Sequence, residues 1–430
     1  MNGIESEATC GNLASGGSCV KPTDVLSVED EKHRVGIPLS VLNLTKNIIG
    51  TSMLSMSFGV ACSGVVFSVV ICLIFAVLSA YTFGLIGQLC GEAKVHTFRG
   101  VCEKFIHPKA GVWTDVLLAV YTLPACIAYS IFVCDCMRKM IVHLAPAMSG
   151  NFLSSRAFIA IVLTVCILMP LCSISRLDKL TFTSIIGIAA IIYCYVFVAV
   201  DLGQNTDQAY PLSKAMWWPP SKSLLGLFPM ANIYAACYLV QYNSPKFFHE
   251  LRNPTRFRFF SVSFITNAIV AVFCGSFAIL GFARFGLSVP DNLLVAYDQA
   301  YVVWVATCVS VITTYPFVFD AGRRSLLSAL SGWKHYNERK FWWIITTVLI
   351  PVFSLIAVFI DSLGLVVGLN GSLCGITVGF TLPGLLLARR ARMHKNHKQE
   401  IAGYILTVFG VLMTVLGLLS IFLHVTPTEV

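Results

Sequence analysis

Hydrophobic residues along the chain occur in long continuous runs that are separated by short polar loops. Each run is roughly 17–25 residues long, the length of an α-helix that crosses the hydrocarbon core of a bilayer. The runs are continuous rather than alternating, which excludes the closed β-barrel class. The sequence predicts eleven transmembrane helices, at residues 38–62, 65–89, 112–137, 156–174, 181–201, 224–244, 258–284, 300–321, 341–360, 364–387 and 402–424.

The composition of the 430-residue chain supports a polytopic membrane protein in a lipid bilayer. Hydrophobic residues make up 57% of the sequence and charged residues only 12%, whereas an average soluble domain has about 25% charged residues. The formal net charge is +9, but the basic residues are divided among short loops and form no continuous face. We therefore expect no nucleic-acid partner.

The distribution of lysine and arginine predicts the orientation of the chain. With a cytoplasmic N-terminus, 23 of the 30 basic residues fall in cytoplasmic segments and six fall in extracytoplasmic segments. Cytoplasmic loops of membrane proteins carry this excess of Lys and Arg, and a miscounted helix would scramble the alternation. The N-terminus is therefore predicted to be cytoplasmic and the C-terminus extracytoplasmic.

The remaining basic residue, Lys46, lies within the first predicted span. A charge at that depth costs about 2.5–3.5 kcal/mol on insertion scales, so an intramembrane ionisable group is a functional hypothesis. The alternative is that the Lys46 ammonium extends to the cytoplasmic interface, about 12 Å away at helical rise. Position alone does not decide between these two roles.

The sequence around Lys46 is unusually polar for a helix that faces lipid, which favours a functional role. Gly50, Thr51 and Ser52 form a candidate helix break, because glycine lacks a Cβ and hydroxyl groups bond freed backbone groups. Secondary transporters use broken helices near the bilayer midplane to present backbone dipoles to a zwitterionic solute. The alternative interpretation is close helix packing through small residues.

The sixth predicted span contains a second region of this kind. Residues 229–238 combine a proline with small and polar residues, and the span ends in the polar stretch 241–245. The correspondence of spans one and six predicts an inverted repeat. The predicted segments are a disordered cytoplasmic tail (1–37), the first repeat (38–201), an extracytoplasmic loop (202–223), the second repeat (224–387), a basic cytoplasmic loop (388–401) and a last helix with a short extracytoplasmic tail (402–430).

Five sequence passages, in order along nearly the whole chain, match motifs of a known protein family. They are the block ending Gly50-Thr51-Ser52-Met53-Leu54; Met169-Pro170-Leu171 followed by Arg176-Leu177-Asp178-Lys179-Leu180; Tyr242-Asn243-Ser244-Pro245 followed by Glu250-Leu251 and Asn253-Pro254; Leu280-Gly281-Phe282-Ala283-Arg284-Phe285-Gly286 followed by Asp291-Asn292-Leu293-Leu294; and Thr313-Thr314-Tyr315-Pro316. With these passages the chain resembles the amino acid/auxin permease superfamily, particularly its sodium-coupled neutral amino acid transporter branch and vacuolar relatives.

The resemblance implies an all-α, inverted-repeat fold like that of bacterial leucine transporters, and transport of amino acids by alternating access. The residues implied to bind the substrate, from the two broken helices, are Gly50, Thr51, Ser52, Met53, Ala235, Ala236, Cys237 and Tyr238. Thr314 matches a family threonine that is associated with a sodium site. We therefore group Lys46, Thr313 and Thr314 as candidate ion-coupling residues, with H+ or Na+ as the ion.

The chain departs from the family pattern at three positions. The family usually has a second glycine at the position of Ser52 and often a proline at that of Ser57. At the position of Lys46, sodium-coupled members resemble each other in carrying asparagine, whereas proton-coupled and vacuolar relatives often carry lysine. An ammonium beside a cation site repels sodium or replaces it, since two charges at 4 Å interact by about 4 kcal/mol at an effective dielectric of 20. We therefore expect transport of a small neutral amino acid by proton coupling or exchange rather than by sodium coupling.

Other functional classes fit the sequence less well. All nine histidines lie in loops or at span ends, and neither HExxH nor GxSxG occurs, which argues against an enzyme, a metal site and a bound cofactor. A channel is disfavoured because no ring of like charges is visible. An amino acid sensor that signals through the N-terminal tail to a protein partner is the alternative that stays open. The membrane is the plasma membrane or a vacuolar or lysosomal membrane.

Overall fold

The computed structural model describes residues 34–144, 152–174, 181–212, 226–297, 301–331, 337–360 and 362–423. Three predicted features lie wholly or mostly outside these ranges. They are the N-terminal tail up to residue 33, the family motif at 176–180 and the C-terminal tail from residue 424. The predicted extracytoplasmic loop is described only as far as residue 212.

The regular elements of the described ranges are helices, apart from an isolated bridge between Val35 and Leu251. The helices are α1 (Ile37–Ile48), α2 (Met56–Ser63), α3 (Val65–Ala93), α4 (Phe98–Phe105), α5 (Ala110–Leu144), α6 (Arg156–Leu163), α7 (Met169–Cys172), α8 (Thr181–Gln204), α9 (Leu227–Cys237), α10 (Ser244–Glu250), α11 (Arg256–Phe285), α12 (Tyr301–Leu330), α13 (Glu338–Phe359), α14 (Leu363–Asn370), α15 (Leu382–Met393) and α16 (His397–Phe422). The predicted all-α class is confirmed.

Eight helical stretches of the described chain are long and apolar enough to cross a membrane. They are α3, α5, residues 186–204 of α8, α11 with the turn that follows it, α12, α13, the continuous α14–α15 unit and α16. The other three predicted spans are shorter or interrupted: α1 with α2, α6 with α7, and α9 with α10. The protein is therefore a multi-pass membrane protein, while the number of eleven spans stays a prediction.

The first predicted span is interrupted between α1 and α2. Ile49 is extended, with φ −76° and ψ 99°, and Gly50 follows with φ −120° and ψ −161°. A 3-10 turn over Thr51–Ser55 then leads into α2. The interruption lies within the polar stretch, where the backbone groups released from the helix need other partners.

The sixth predicted span is interrupted between α9 and α10. Leu239 and Val240 are not helical, and a 3-10 turn over Gln241–Asn243 precedes α10. Neighbouring α3 supports this geometry. The side-chain amide nitrogen of Gln241, Nε2, donates to the hydroxyls of Ser79 and Thr82 on α3, at 3.1 and 3.2 Å. Freed backbone groups join the same network, since the Ser79 hydroxyl donates to the Tyr238 carbonyl at 3.1 Å and the Val240 N–H donates to the Gln241 side-chain oxygen at 3.0 Å.

The unit of α14 and α15 packs closely against α9 through two glycines. A Cβ on Gly371 would overlap the carbonyl oxygen of Asn232, and one on Gly375 would lie 2.9 Å from the carbonyl oxygen of Ala235. Small residues allow membrane helices to approach at this distance. The contact places the turn between α14 and α15 against the last two turns of α9.

Gly371→Ala is therefore expected to destabilise the protein. The added methyl meets backbone rather than a movable side chain, so the free energy of unfolding should fall by about 3 kcal/mol, the upper part of the range for overpacking. The midpoint of thermal unfolding of the purified protein checks this. Gly203→Ala is the matched control, because a Cβ there meets nothing within 4 Å. Equal midpoints for the two variants would contradict the described packing.

Candidate functional site

A cavity of about 910 Å³ extends from the two helix interruptions to one end of the bundle. Its inner part is lined by Gly50 and Ser52 from the first interruption and by Ala236, Cys237 and Leu239 from the second. We call the end at which it opens the basic end, and define it by Lys94, Arg99, Lys246, Arg324 and Arg390. The volume lies within the range of about 300–1,000 Å³ that is usual for small-molecule sites.

The predicted site residues divide into two groups. Those that line the cavity are Lys46, Gly50, Ser52, Ala236, Cys237 and Thr314. The side chains of Met53, Ala235 and Tyr238 are at most 2% exposed and pack between helices, and Thr313 is half-buried on α12. For Thr51 the structure describes the backbone only. The binding roles of all these residues stay predictions.

The two interrupted helices contact each other around the cavity. The side-chain amide of Asn243 donates to the amide oxygen of Asn47 at 3.2 Å. Nearer the basic end, the Val35 N–H donates to the Glu250 carbonyl at 2.8 Å, and the Arg252 N–H donates to the Val35 carbonyl at 2.9 Å. These bonds tie the start of α1 to the end of α10.

The opposite end of the bundle is closed by packing and polar contacts of the described residues. A 3-10 turn over Leu293–Ala296 lies across it, and both of its leucines are fully buried. The turn receives hydrogen bonds from the Trp304 indole, at 3.0 Å, and from the Lys139 ammonium. Arg284 forms an ion pair with Asp201 at 2.7 Å at the same end. The cavity thus opens towards the basic end.

Lys46 projects from α1 into the space between α8 and α12. Its Cε and Nζ lie 3.4 and 3.8 Å from the point where a Cβ on Gly187 would be. The ammonium is 5.9 Å from the centre of the Phe317 ring. The Ser310 hydroxyl donates to the Gly187 carbonyl at 3.4 Å. Within the part of the chain that the structure describes, Lys46 has no ion-pair partner, so its charge faces the cavity without compensation.

Thr313 and Thr314 lie one turn beyond Ser310 on α12. Their hydroxyls donate to the Ser310 carbonyl at 2.9 and 2.8 Å. Although both threonines make the same local bond, Thr314 lines the cavity. The pair therefore offers a contrast between a threonine that lines the cavity and an adjacent one that is not among its lining residues.

Charged side chains also line the cavity at the basic end. Arg99 donates to Asp115 and to Glu103, at 2.7 Å in each case, and to the Ser328 hydroxyl at 2.7 Å. These bonds join α4, α5 and α12. Burial raises the pKa of the Glu250 carboxyl above its usual value, and the nearby Lys246 ammonium opposes that shift.

Tyr129 and Asn370 are two polar residues of the cavity wall that sequence reasoning missed. The Tyr129 hydroxyl on α5 lies 3.5 Å from the position of a Cβ on Gly50. Asn370, 8% exposed at the end of α14, has a buried side-chain oxygen that receives no hydrogen bond from the described residues. The π-helical turn that begins at Gly371 marks this position, because such turns frequently occur at functional sites. In the sequence the visible signal was the polar Asn-Gly-Ser triplet inside a predicted span.

Residues 33–425 match the family described as transmembrane amino acid transporter protein. The chain is 21% identical to amino acid transporter AVT6E of Arabidopsis thaliana over 403 residues, which cover 89% of this chain and 82% of that protein. It is 26% identical to sodium-coupled neutral amino acid transporter 7 of Xenopus laevis over 346 residues, or 74% and 72% of the two chains.

Two solved structures share the fold at low sequence identity. A Na+-coupled sialic acid symporter in a substrate-bound outward-open state aligns with a TM-score of 0.51 and 10% identity over 90% of each chain. A manganese transporter of Eremococcus coleocola aligns with a TM-score of 0.54 and 12% identity, over 95% of this chain and 88% of that one. Both have the leucine-transporter fold, which confirms the predicted architecture. The chain therefore belongs to the transmembrane amino acid transporter family, also called the amino acid/auxin permease family, as its sequence motifs predicted.

Proposed function

We propose that the protein is a secondary active transporter that moves a small neutral amino acid by alternating access. The observation that carries the proposal is the cavity that joins both helix interruptions to the basic end, while the opposite end is closed. This arrangement corresponds to one half of an alternating-access cycle. In the other half the basic end closes and the opposite end opens around the same site.

The interruptions supply groups of both polarities for a zwitterion. A helix start leaves backbone N–H groups that suit a carboxylate, and a helix end leaves carbonyl groups that suit an ammonium. The interruptions after Gly50 and after Cys237 supply one end of each kind. The inner wall includes Ala128, Tyr129 and Val366. The apolar side chains of Ala128 and Val366 favour an amino acid with an uncharged side chain.

The position of Lys46 supports transport without sodium. Its ammonium lies beside Gly187 and Ser310, next to the helix that carries Thr314. The protonated ammonium there occupies the place of a coupling ion or repels one. We infer that protonation of Lys46 replaces sodium binding, so that transport is coupled to protons or runs as exchange.

The test is uptake into liposomes that contain the purified protein. Labelled neutral amino acids are offered under an imposed pH gradient, an imposed sodium gradient or neither. We expect accumulation with the pH gradient, or exchange against internal amino acid, at rates that do not depend on sodium. Uptake that requires sodium would contradict the coupling, and the absence of flux for every amino acid would contradict the proposed transport.

Thr314→Val is expected to lower the initial rate of uptake by about tenfold, whereas Thr313→Val should leave it nearly unchanged. Only Thr314 lines the cavity, and the loss of one hydrogen bond to a bound group costs about 1–1.5 kcal/mol. Initial rates in liposomes, normalised to the amount of folded protein, check this. Equal rates for the two variants would argue against a role of Thr314 in the site.

The proposal includes an orientation of the protein in the membrane. We place the basic end in the cytoplasm, because the predicted inside loops carry most of the Lys and Arg residues.

An amino acid sensor would need the N-terminal tail, of which residues 1–33 lie outside the described ranges. Deleting that tail separates the two functions: a transporter keeps its flux, and a tail-dependent sensor loses only its signal.

A further inference from the structure

We propose that a second pocket at the basic end binds the phosphorylated headgroup of a membrane lipid. The pocket has a volume of about 760 Å³ and lies among α3, α10, α11 and α15. Its basic lining residues are Lys94, His96, His249, Arg256 and Arg390. The proposal does not depend on which amino acid is transported or on the coupling ion.

The charge in this pocket is positive and partly uncompensated. Arg390 forms a two-bond ion pair with Glu92, at 2.7 Å for each bond, so these two residues neutralise each other. Lys94 and Arg256 are exposed and have no ion-pair partner within the described ranges. A phosphomonoester carries a charge of about −1.5 to −2 at pH 7 and three strong acceptor oxygens. Two free cations match that charge.

Contacts with neighbouring side chains position the basic residues around the pocket. The Arg256 guanidinium lies over the Phe260 ring, 5.7 Å from its centre, which keeps it directed along α11. The His249 ring donates from Nε2 to the Val95 carbonyl at 3.0 Å and contacts the His96 ring, with ring centres 4.1 Å apart and planes inclined by 33°. Both imidazoles thereby form one side of the pocket.

A lipid suits this pocket better than a soluble phosphate compound, because an apolar track continues from it. Phe260 and Phe264 follow Arg256 at intervals of four residues, on the same face of α11, with their ring centres 6.4 Å apart. Tyr81 on α3 lies 6.3 Å from Phe260, and Phe264 and Val77 are 42% and 57% exposed. Acyl chains can lie along this track while the headgroup occupies the basic pocket.

The test uses the full chain in bilayer nanodiscs, which present lipid to both ends of the protein. The probes are a phosphatidylinositol bisphosphate, phosphatidylserine and the soluble inositol trisphosphate, each titrated against a phosphatidylcholine background. We expect the phosphatidylinositol bisphosphate to bind at least tenfold more tightly than phosphatidylserine. Binding of the soluble headgroup with the same affinity would overturn the assignment to a lipid, and equal binding of both lipids would overturn the specific site.

The double variant Lys94→Gln with Arg256→Gln is expected to reduce affinity for the phosphatidylinositol bisphosphate by at least tenfold. Lys104→Gln with Lys109→Gln is the matched control, since it removes two exposed charges from segments that do not line the pocket. All four residues are exposed, and thermal unfolding verifies that each variant is folded. An unchanged affinity in the first variant, or an equal loss in the control, would overturn the proposal.

Discussion

Lys46→Asn is expected to abolish amino acid accumulation driven by a pH gradient. The substitution removes the uncompensated ammonium between α8 and α12, beside Gly187 and Ser310. Without that group the site loses the charge that is proposed to replace a coupling cation. The measurement is concentrative uptake into liposomes with and without the pH gradient, and with sodium added to both sides.

Two further variants separate the possible outcomes at this position. Lys46→Arg keeps the positive charge but does not release a proton at accessible pH, so it should support exchange while losing proton-driven accumulation. Lys104→Asn removes an exposed lysine outside the cavity and should behave like the unmodified protein. If Lys46→Asn accumulates amino acid as well as the unmodified protein, Lys46 is not the coupling residue.

Gly50→Leu is expected to reduce uptake by about 100-fold or more without unfolding the protein. A Cβ at this position already lies 3.5 Å from the Tyr129 hydroxyl, so the rest of a leucine side chain must fill the space proposed for the substrate carboxylate. A 100-fold loss corresponds to about 2.7 kcal/mol, the scale of a few hydrogen bonds. The measurement is the initial uptake rate together with the midpoint of thermal unfolding.

Gly203→Leu is the matched control for this substitution. Position 203 lies near the end of α8, where a Cβ meets nothing within 4 Å. It should therefore change neither uptake nor stability appreciably. Normal uptake by Gly50→Leu would show that the first interruption does not form the substrate site.

Much of the fold follows from hydrophobic run length, because lipid requires a helix wherever an apolar segment crosses it. The first interruption was also predictable, since Gly50 and its hydroxyl-bearing neighbours stand out in an apolar span. The second was predicted near residue 236, within the stretch that begins at Pro229. Pro229 lies in the first turn of α9, where its missing N–H is not needed. The helix therefore continues to Cys237, and the non-helical residues are Leu239 and Val240.

The neighbours of the candidate site could not be read from the sequence. Tyr129 and Gly187 reach the cavity and Lys46 from helices that are distant along the chain. Helices α3 and α5 carry apolar residues on all sides, so periodicity does not reveal which face is turned inward. The buried Gln241 bonds to Ser79 and Thr82 depend on the same tertiary arrangement. The chemistry of the side chains was enough to predict candidate site residues, whereas the residues that contact them depend on how the helices pack.

The central claim is that one amino acid binds between the two helix interruptions. The most direct measurement is a cryo-EM structure of the protein with a transported amino acid bound. The account predicts density for the carboxylate within hydrogen-bond distance of the backbone N–H groups at Thr51 and Ser52, and density for the ammonium against the carbonyl end of α9. Substrate density elsewhere, or an unbroken α-helix through residues 48–56 or 236–244, would contradict it.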